Sequence, residues 1–341
     1  MRNALVLLAL LGVVGSIVGC GDSGSPSRDN AIEQELRQLE AAKRARKLAE
    51  LKRELRAEKA RDTREAREAI LETPATDAGP KPKDAGSTGN GAGLAGFDAL
   101  ESSLPGQVGL AIGPPGSEPA ASAGSLTTGS AWSTSKVPVV LRVLKQTGGP
   151  GGLSSQQADE IRRALTLSDN DAALALFGDL EADYGGASGA AAAVDEVLAE
   201  AGDTTTQVSS VGRDGFTPFG QTEWSLELQE LFMSRLAAGC VGSPASSEYV
   251  LDLMGEVSSD NWGLGSTGLP ARWKGGWGPG TDGRYLVRQM GVLEVEGGEA
   301  VVTLAALPDD GSFETGQSMA TSVAQWATER APQFAGPVGG C

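Results

Sequence analysis

The sequence predicts an α+β domain: a mixed sheet in an α/β/α sandwich, with an all-helical lobe inserted in the middle and a long charged helix ahead of it. Three observations predict this. Segments with the two-residue alternation of strands lie at both ends of the last ~245 residues. Between them runs a block of segments with helical periodicity. Ahead of the domain, residues 31–72 contain no Gly or Pro and are rich in Ala, Leu, Glu, Lys and Arg, all strong helix formers.

Residues 1–20 read as a processed leader. Arg2 gives a short positive start, and Ala4 to Val18 is mostly apolar but too short for an ordinary membrane-spanning helix. Ile17-Val18-Gly19-Cys20 matches a bacterial lipoprotein cleavage box. The expectation is a lipidated N-terminus at Cys20, with the rest of the chain exported and tethered to a membrane of the cell envelope.

Residues 21–30 form a polar tether. Residues 31–72 follow as a charged spacer helix, with i,i+4 pairs such as Glu33/Arg37 and Glu40/Arg44 placing the acid on the N-terminal side. Such a helix spans about 60 Å at 1.5 Å per residue. Leu36, Leu39, Leu48, Leu51 and Leu55 hold no sustained heptad, so a lone helix is the first reading and a weak coiled coil the second. Pro74 ends it, and residues 73–93 form a Gly/Pro/Asp linker of disordered composition.

The domain proper covers residues 94–341. Gln107–Ile112 alternates as a strand, and Ala120–Leu126 returns as its hairpin partner after Pro114-Pro115-Gly116. Helices are expected over Val137–Gln146, Ser155–Leu165, Asp171–Leu180, Ala187–Ala201, Ser225–Ala238 and Ser247–Val257. Strands resume at Arg272–Gly276, Tyr285–Val295 and Ala300–Ala306, and Gly316–Arg330 closes the chain as a helix. Strands at both ends with helices between them give the layered architecture.

Charge and composition exclude several functions. Residues 84–341 carry 12 basic and 31 acidic side chains, a poor match to nucleic acid, which needs phosphate-neutralising cations. Residues 28–72 carry 13 basic and 11 acidic side chains and are close to balanced. The chain has no histidine, which removes Ser-His-Asp and Cys-His catalysis and histidine-ligated zinc. No cofactor or metal is called for. Beyond Cys20, only Cys240 and Cys341 remain, and they allow one intramolecular pairing, or two free thiols.

Lysine is scarce in the domain, at positions 136, 145 and 274 alone, and two of the three fall in motifs. Ser133-Thr134-Ser135-Lys136 places a hydroxyl and an amine three residues apart, on one face of a helix start. A serine hydroxyl needs a base, and lysine serves when burial or a nearby cation lowers its pKa. The helix N-terminus adds N–H groups for an oxyanion. Pro138 requires that regular hydrogen bonding start near Ser135 or that the helix distort there. Ser168-Asp169-Asn170 reads as a helix cap in isolation. After S-x-x-K it reads as a site loop, with Ser168 relaying a proton and Asn170 binding substrate. Lys274-Gly275-Gly276-Trp277 lies on a strand, where glycine marks close approach of a ligand or backbone. The alternative is a Gly-rich turn with a solvated lysine.

The order S-x-x-K, S-D-N, K-x-G resembles the penicillin-recognising serine enzymes, most closely the class A β-lactamase-like family. The resemblance runs from Leu94 to about Pro337. It implies Ser133 as acylated nucleophile, Lys136 as its base, Ser168 as proton relay and Asn170 as substrate amide. It also implies Lys274, Gly275, Gly276 and Trp277 as the substrate-binding strand, with the N–H groups of Ser133 and Trp277 as oxyanion hole. The implied substrates are β-lactams or D-Ala-D-Ala-like peptidoglycan peptides. The sequence departs from the family twice. Gly275 stands where the family has a hydroxyl, and no E-x-x-L-N segment supplies a deacylating carboxylate. The stretch Asp203–Trp224 offers only Asp203, Asp214 and Glu223. The alternative function is a binding module of the same fold that recognises a cell-wall peptide or a protein partner without turnover.

Overall fold

The computed structural model describes residues 93–258 and 261–338. The expected leader, lipidated Cys20, spacer helix and most of the linker lie outside the described residues, as does Cys341.

Helix α1 (Phe97–Ser103) precedes strand β1 (Gly106–Gly113), which turns back as β2 (Ala121–Gly124). A second small ribbon pairs β3 (Thr128–Ser130) with β4 (Glu223–Ser225). Between these two strands runs the helical lobe: α2 (Lys136–Thr147), α3 (Ser155–Thr166), α4 (Asn170–Tyr184) and α5 (Ala187–Glu200). Then come α6 (Leu226–Ala237), α7 (Pro244–Gly255), β5 (Ala271–Pro279), β6 (Tyr285–Val295), β7 (Gly298–Pro308) and α8 (Phe313–Thr328).

The main sheet has the order β2-β1-β7-β6-β5. Every pairing in it is antiparallel, which corrects the expectation of a mixed sheet. The physical reason is that β5, β6 and β7 follow one another through short turns, and β1 from the start of the domain joins β7 head to tail. No crossover helix is needed to align parallel neighbours.

Strand alternation divides the core in two. Val108, Leu110, Ile112, Val302 and Leu304 face α1 and α8, where Phe97, Met319 and Val323 meet them. Met290, Val292 and Val301 face the other way, into the larger core built by α2, α4, α5, α6 and α7. Burial of these side chains stabilises the fold by about 25 cal/mol per Å² of apolar surface. α2 is buried along most of its length, from Lys136 to Leu144, as a central helix should be.

Local chemistry sets the helix boundaries. Ser154 and Gln157 form a reciprocal capping box on α3. Ser225, Ser243 and Ser312 cap α6, α7 and α8. The cap at Ser243 with Pro244 behind it starts α7 three residues before the sequence reading. The two three-residue strands β3 and β4, and α1, are additions to that reading. β5 runs on past Gly276 to Pro279, and the reason lies in the site.

Candidate active site

The site forms where the edge strand β5 meets the start of α2. Residues Trp132–Ser135 make a short 3-10 turn that feeds directly into α2. Pro138 therefore sits in the first turn of the α-helix, where its missing N–H costs nothing. The Thr134 hydroxyl donates to Ala131 O at 2.5 Å and the Ser135 hydroxyl to Trp132 O at 2.5 Å. Both are buried, while Ser133 just before them is partly exposed to a cleft of about 180 Å³.

β5 presses its backbone against this turn. A side chain at Gly276 would come within 2.8 Å of Ser133 N and 3.0 Å of Thr134 N. One at Gly278 would come within 2.6 Å of the Trp132 indole. Lys274, Gly276 and Gly278 share the face of β5 that looks at the turn. Trp277 points its ring to the other face, stacked on Phe313 at 5.5 Å. The strand pattern Lys-Gly-Gly-Trp-Gly is thus read by the alternation: small where the Trp132–Ser135 turn approaches, large where α8 packs.

The two motif lysines are fully buried and converge on one loop. Lys136 Nζ donates to Ser168 O at 2.5 Å and to Asn170 Oδ1 at 2.7 Å, with Ser168 Oγ at 3.4 Å. Lys274 Nζ donates to Ser168 Oγ at 2.9 Å and to Gly275 O at 2.8 Å. The Ser168 hydroxyl stands between the two amines. Asp169 meanwhile caps α4, accepting from the N–H groups of Asp171 at 2.9 Å and Ala172 at 3.2 Å. Burial pushes the Asp169 carboxyl up, but those N–H groups and Arg163 outweigh it and hold it below the usual range. In Ser168-Asp169-Asn170 the middle residue caps the helix and its two neighbours line the cleft.

Among the described residues, Trp132 (φ 50°) and Ser168 (φ 55°) are the non-glycine positions with left-handed backbone. Both line the cleft. Strain of this kind concentrates at functional sites.

A buried polar chain supports the Trp132–Ser135 turn from below. Arg288, on β6, donates through Nη2 to Gln229 Oε1 at 2.7 Å and through Nη1 to Gly129 O at 2.7 Å and Trp224 O at 3.1 Å. Gln229 Nε2 in turn donates to Thr134 Oγ1 at 2.8 Å. Burial among neutral partners draws the Arg288 pKa down to about 10, against the opposing charge of Glu223.

The segment Asp203–Trp224 borders the opposite side of the cleft, and one contact closes its neck. Asp203 Oδ2 accepts from Trp224 Nε1 at 3.1 Å, and Oδ1 from the N–H groups of Thr205 at 3.2 Å and Thr206 at 2.9 Å. This segment lends the cleft Gly215, Phe216 and Thr217. Asp203 is occupied as the clasp, Glu223 accepts from Ser130 at 2.8 Å, and Asp214 is exposed. None of the three lines the cleft, and no carboxylate among the described residues does.

The structure thus brings Ser133, Lys136, Ser168, Asn170, Lys274, Gly275, Gly276 and Trp277 to one place. Cys240 stands apart, near the end of α6, and is disulfide-bonded. Sequence reading missed Trp132, Phe216, Thr217 and Tyr285 along the cleft, and Arg288 and Gln229 beneath it. Arg288 carried a signal, a charge inside the apolar run Leu286 to Leu293. The others carried none.

Solved structures share this architecture. An ancestral class A β-lactamase (GNCA) aligns with a TM-score of 0.53 over 68% of this chain and 97% of its own, at 20% identity. A β-lactamase from Sphaerobacter thermophilus aligns at 0.54 over 71% and 97%, at 18% identity. The L2 protein in complex with relebactam aligns at 0.54 over 68% and 94%, at 23% identity. The chain has a class A β-lactamase fold. No protein-family model and no curated protein sequence matches it. In this β-lactamase fold the sheet and its two helical layers are retained at an identity where most side chains differ.

Proposed function

We propose that the protein is an exported, lipid-anchored serine acyl-enzyme that acylates Ser133 with β-lactams or D-Ala-D-Ala-like peptides. The observation that carries this reading is the convergence of Lys136, Lys274, Ser168 and Asn170 at the partly exposed Ser133, on strained backbone. In the first step Ser133 Oγ attacks the carbonyl carbon and its proton passes to the amine of Lys136. Hydrogen bonds to Ser168 O and Asn170 Oδ1 hold that amine in place, and it acts as the base in its neutral form. The developing oxyanion takes hydrogen bonds from the N–H groups of Ser133 and Trp277. The carbon–nitrogen bond then breaks. The leaving nitrogen receives a proton through the Ser168 hydroxyl, which is replenished from the lysines on either side of it. Lys274 holds the substrate carboxylate, and Gly275 contributes its carbonyl to Lys274 in place of a side-chain hydroxyl.

The ester on Ser133 then lasts. Its hydrolysis needs a water activated by a base, and the segment that faces the cleft offers Thr217 and Phe216 rather than a carboxylate. The test is intact mass of the chain after mixing with benzylpenicillin, followed over hours, beside Ser133→Ala. A Ser133-dependent adduct that persists is expected. An adduct that decays within minutes overturns the slow release, and no adduct overturns the acyl-enzyme.

The anchor is part of the same reading. Lipid on Cys20 and a charged spacer hold the domain at a membrane of the envelope, and Cys240 in a disulfide suits an oxidising compartment. Among the described residues no helix is long and apolar enough to cross a membrane. Cys20→Ser is expected to move the protein from the detergent phase to the aqueous phase on partitioning. Retention in the detergent phase would overturn the anchor.

A further inference from the structure

One wall of the cleft is built from a turn and an indole rather than from the catalytic motifs. Residues Arg213–Phe216 form a tight turn, with Phe216 N donating to Arg213 O at 2.8 Å and Gly215 at φ 80°. The turn sets Arg213 and Phe216 side by side. The Phe216 ring meets the Trp132 indole edge-on at 5.4 Å. The Arg213 guanidinium lies over both, 4.9 Å from the phenyl and 5.5 Å from the indole. It then crosses to the main sheet, donating through Nη2 to Pro279 O at 2.6 Å at the end of β5. Its Nε donates back to Gln221 Oε1 at 2.6 Å. One side chain thus ties the 203–224 segment to the substrate-binding strand across the mouth of the site.

This wall separates two spaces. On one side is the cleft of about 180 Å³ at Ser133. On the other is a crevice of about 410 Å³, to which Arg213, Leu126, Leu286 and Arg284 contribute. Trp132 lines both. The cleft alone falls below the ~300–1,000 Å³ usual for drug-sized ligands, and the two together do not. Phe216 and Pro279 line the cleft together with Ser133, so a bulky substituent beside a carbonyl held at Ser133 meets the wall.

We infer that the partition of Arg213, Trp132 and Phe216 sets substrate specificity, restricting acylation of Ser133 to β-lactams whose substituent beside the reacting carbonyl is small. Arg213 is a positioning residue here: it touches no reacting atom and holds the wall closed. The inference rests on the acyl-enzyme reading and adds the class of substrate to it.

The experiment compares acylation rates, by intact mass, for penicillanic acid, which carries only hydrogen beside the lactam carbonyl, and benzylpenicillin, which carries a phenylacetamido group there. The chain, Arg213→Ala and Phe216→Ala are measured, with the melting temperature of each. The unaltered chain is expected to favour penicillanic acid. The rate ratio of benzylpenicillin to penicillanic acid is expected to rise about tenfold or more in either variant, within the range that pocket changes produce. Should Arg213→Ala fail to fold, Phe216→Ala decides. A ratio that stays within about twofold of the unaltered chain's overturns the partition while leaving acylation intact. Absence of a Ser133 adduct with either compound overturns the acyl-enzyme and the specificity together.

Discussion

Left-handed backbone at a tryptophan and at a serine costs about 1–3 kcal/mol at each position, and both positions flank the same serine nucleophile candidate. Packing around them supplies the compensation. At Trp132 it is the floor of Gly278 under the indole, and at Ser168 it is the pair of lysine amines that bind its carbonyl and hydroxyl. The same logic fixes Gly276. Gly276→Ala places a methyl within 3.0 Å of three backbone atoms of the nucleophile turn. A loss of about 1–3 kcal/mol is expected by urea denaturation, the cost of overpacking against atoms that cannot rotate away. Ser133 acylation is expected to fall with it. Stability equal to the unaltered chain would mean that β5 yields.

Glu230 poses a different residue-scale problem. It is fully buried on α6, and neither carboxyl oxygen has a hydrogen-bond partner. Burial, with the charge of Glu118 added, raises its pKa well above the ordinary value. The folded state therefore holds a proton that the unfolded chain has released. Stability from this group is present in full below the unfolded pKa of about 4.5 and is lost as pH rises through the folded value. Glu230→Gln is expected to flatten that decline, so that the variant's melting temperature exceeds the unaltered chain's at pH 8 by more than at pH 4.5. Parallel melting curves across that range would place the ionisation elsewhere.

At the scale of elements, the clasp between Asp203 and Trp224 makes the segment on the cleft's far side a closed loop rather than a free one. Asp203→Asn keeps the size but turns one acceptor into a donor, which faces the indole N–H or the amides of Thr205 and Thr206. A loss of about 1–3 kcal/mol follows from the unmet partners. New protease cleavage within residues 204–223 is expected under limited digestion. An unchanged digest would show that Arg213 and the Phe219 packing suffice.

Helices were legible in the sequence where their ends are chemical: Ser154 and Ser225 cap, and Gly148 and Gly185 take the left-handed turn past α2 and α4, while the cap at Ser312 starts α8 three residues before the expected Gly316. Strand β6 was legible end to end, since Tyr285–Val295 is one apolar run between turns. The all-antiparallel pairing was not, because nothing within a strand states which neighbour it will meet. β3 and β4, at three residues each, are too short to show a period. The lysine and serine motifs were legible because their spacing is their chemistry. The wall of Trp132, Arg213 and Phe216 was not, since it depends on a turn folding back on a residue far away in the chain.

The whole molecule is strongly acidic, yet Lys136, Lys274 and Arg288 are all buried within or beneath one site. Their partners include carbonyls and amides: Ser168 O, Asn170 Oδ1, Gly275 O and Gln229 Oε1. At the opposite end, Val338 of the C-terminal tail lines a crevice with Ala238 and Gly239, the residues just before the disulfide-bonded Cys240. We propose Cys341, the other cysteine of the domain, as its partner. Cys240→Ser and Cys341→Ser are each expected to lower stability by about 2–5 kcal/mol, the range for a disulfide closing a loop of this length. Reductant should do the same to the unaltered chain and nothing to either variant. A loss confined to Cys240→Ser would point to another partner.

The antiparallel register from Gly106↔Pro308 to Gly113↔Val301 joins the first strand of the domain to its last. During synthesis the helical lobe, with Ser133, Lys136 and Ser168, emerges well before β5, β6 and β7. A chain interrupted at α7 holds Ser133 and Lys136 but lacks the strand that walls the turn, the lysine that faces Ser168 and the arginine that steadies the turn from below. The order of emergence from the ribosome thus completes the cleft last, with the same strands that complete the sheet.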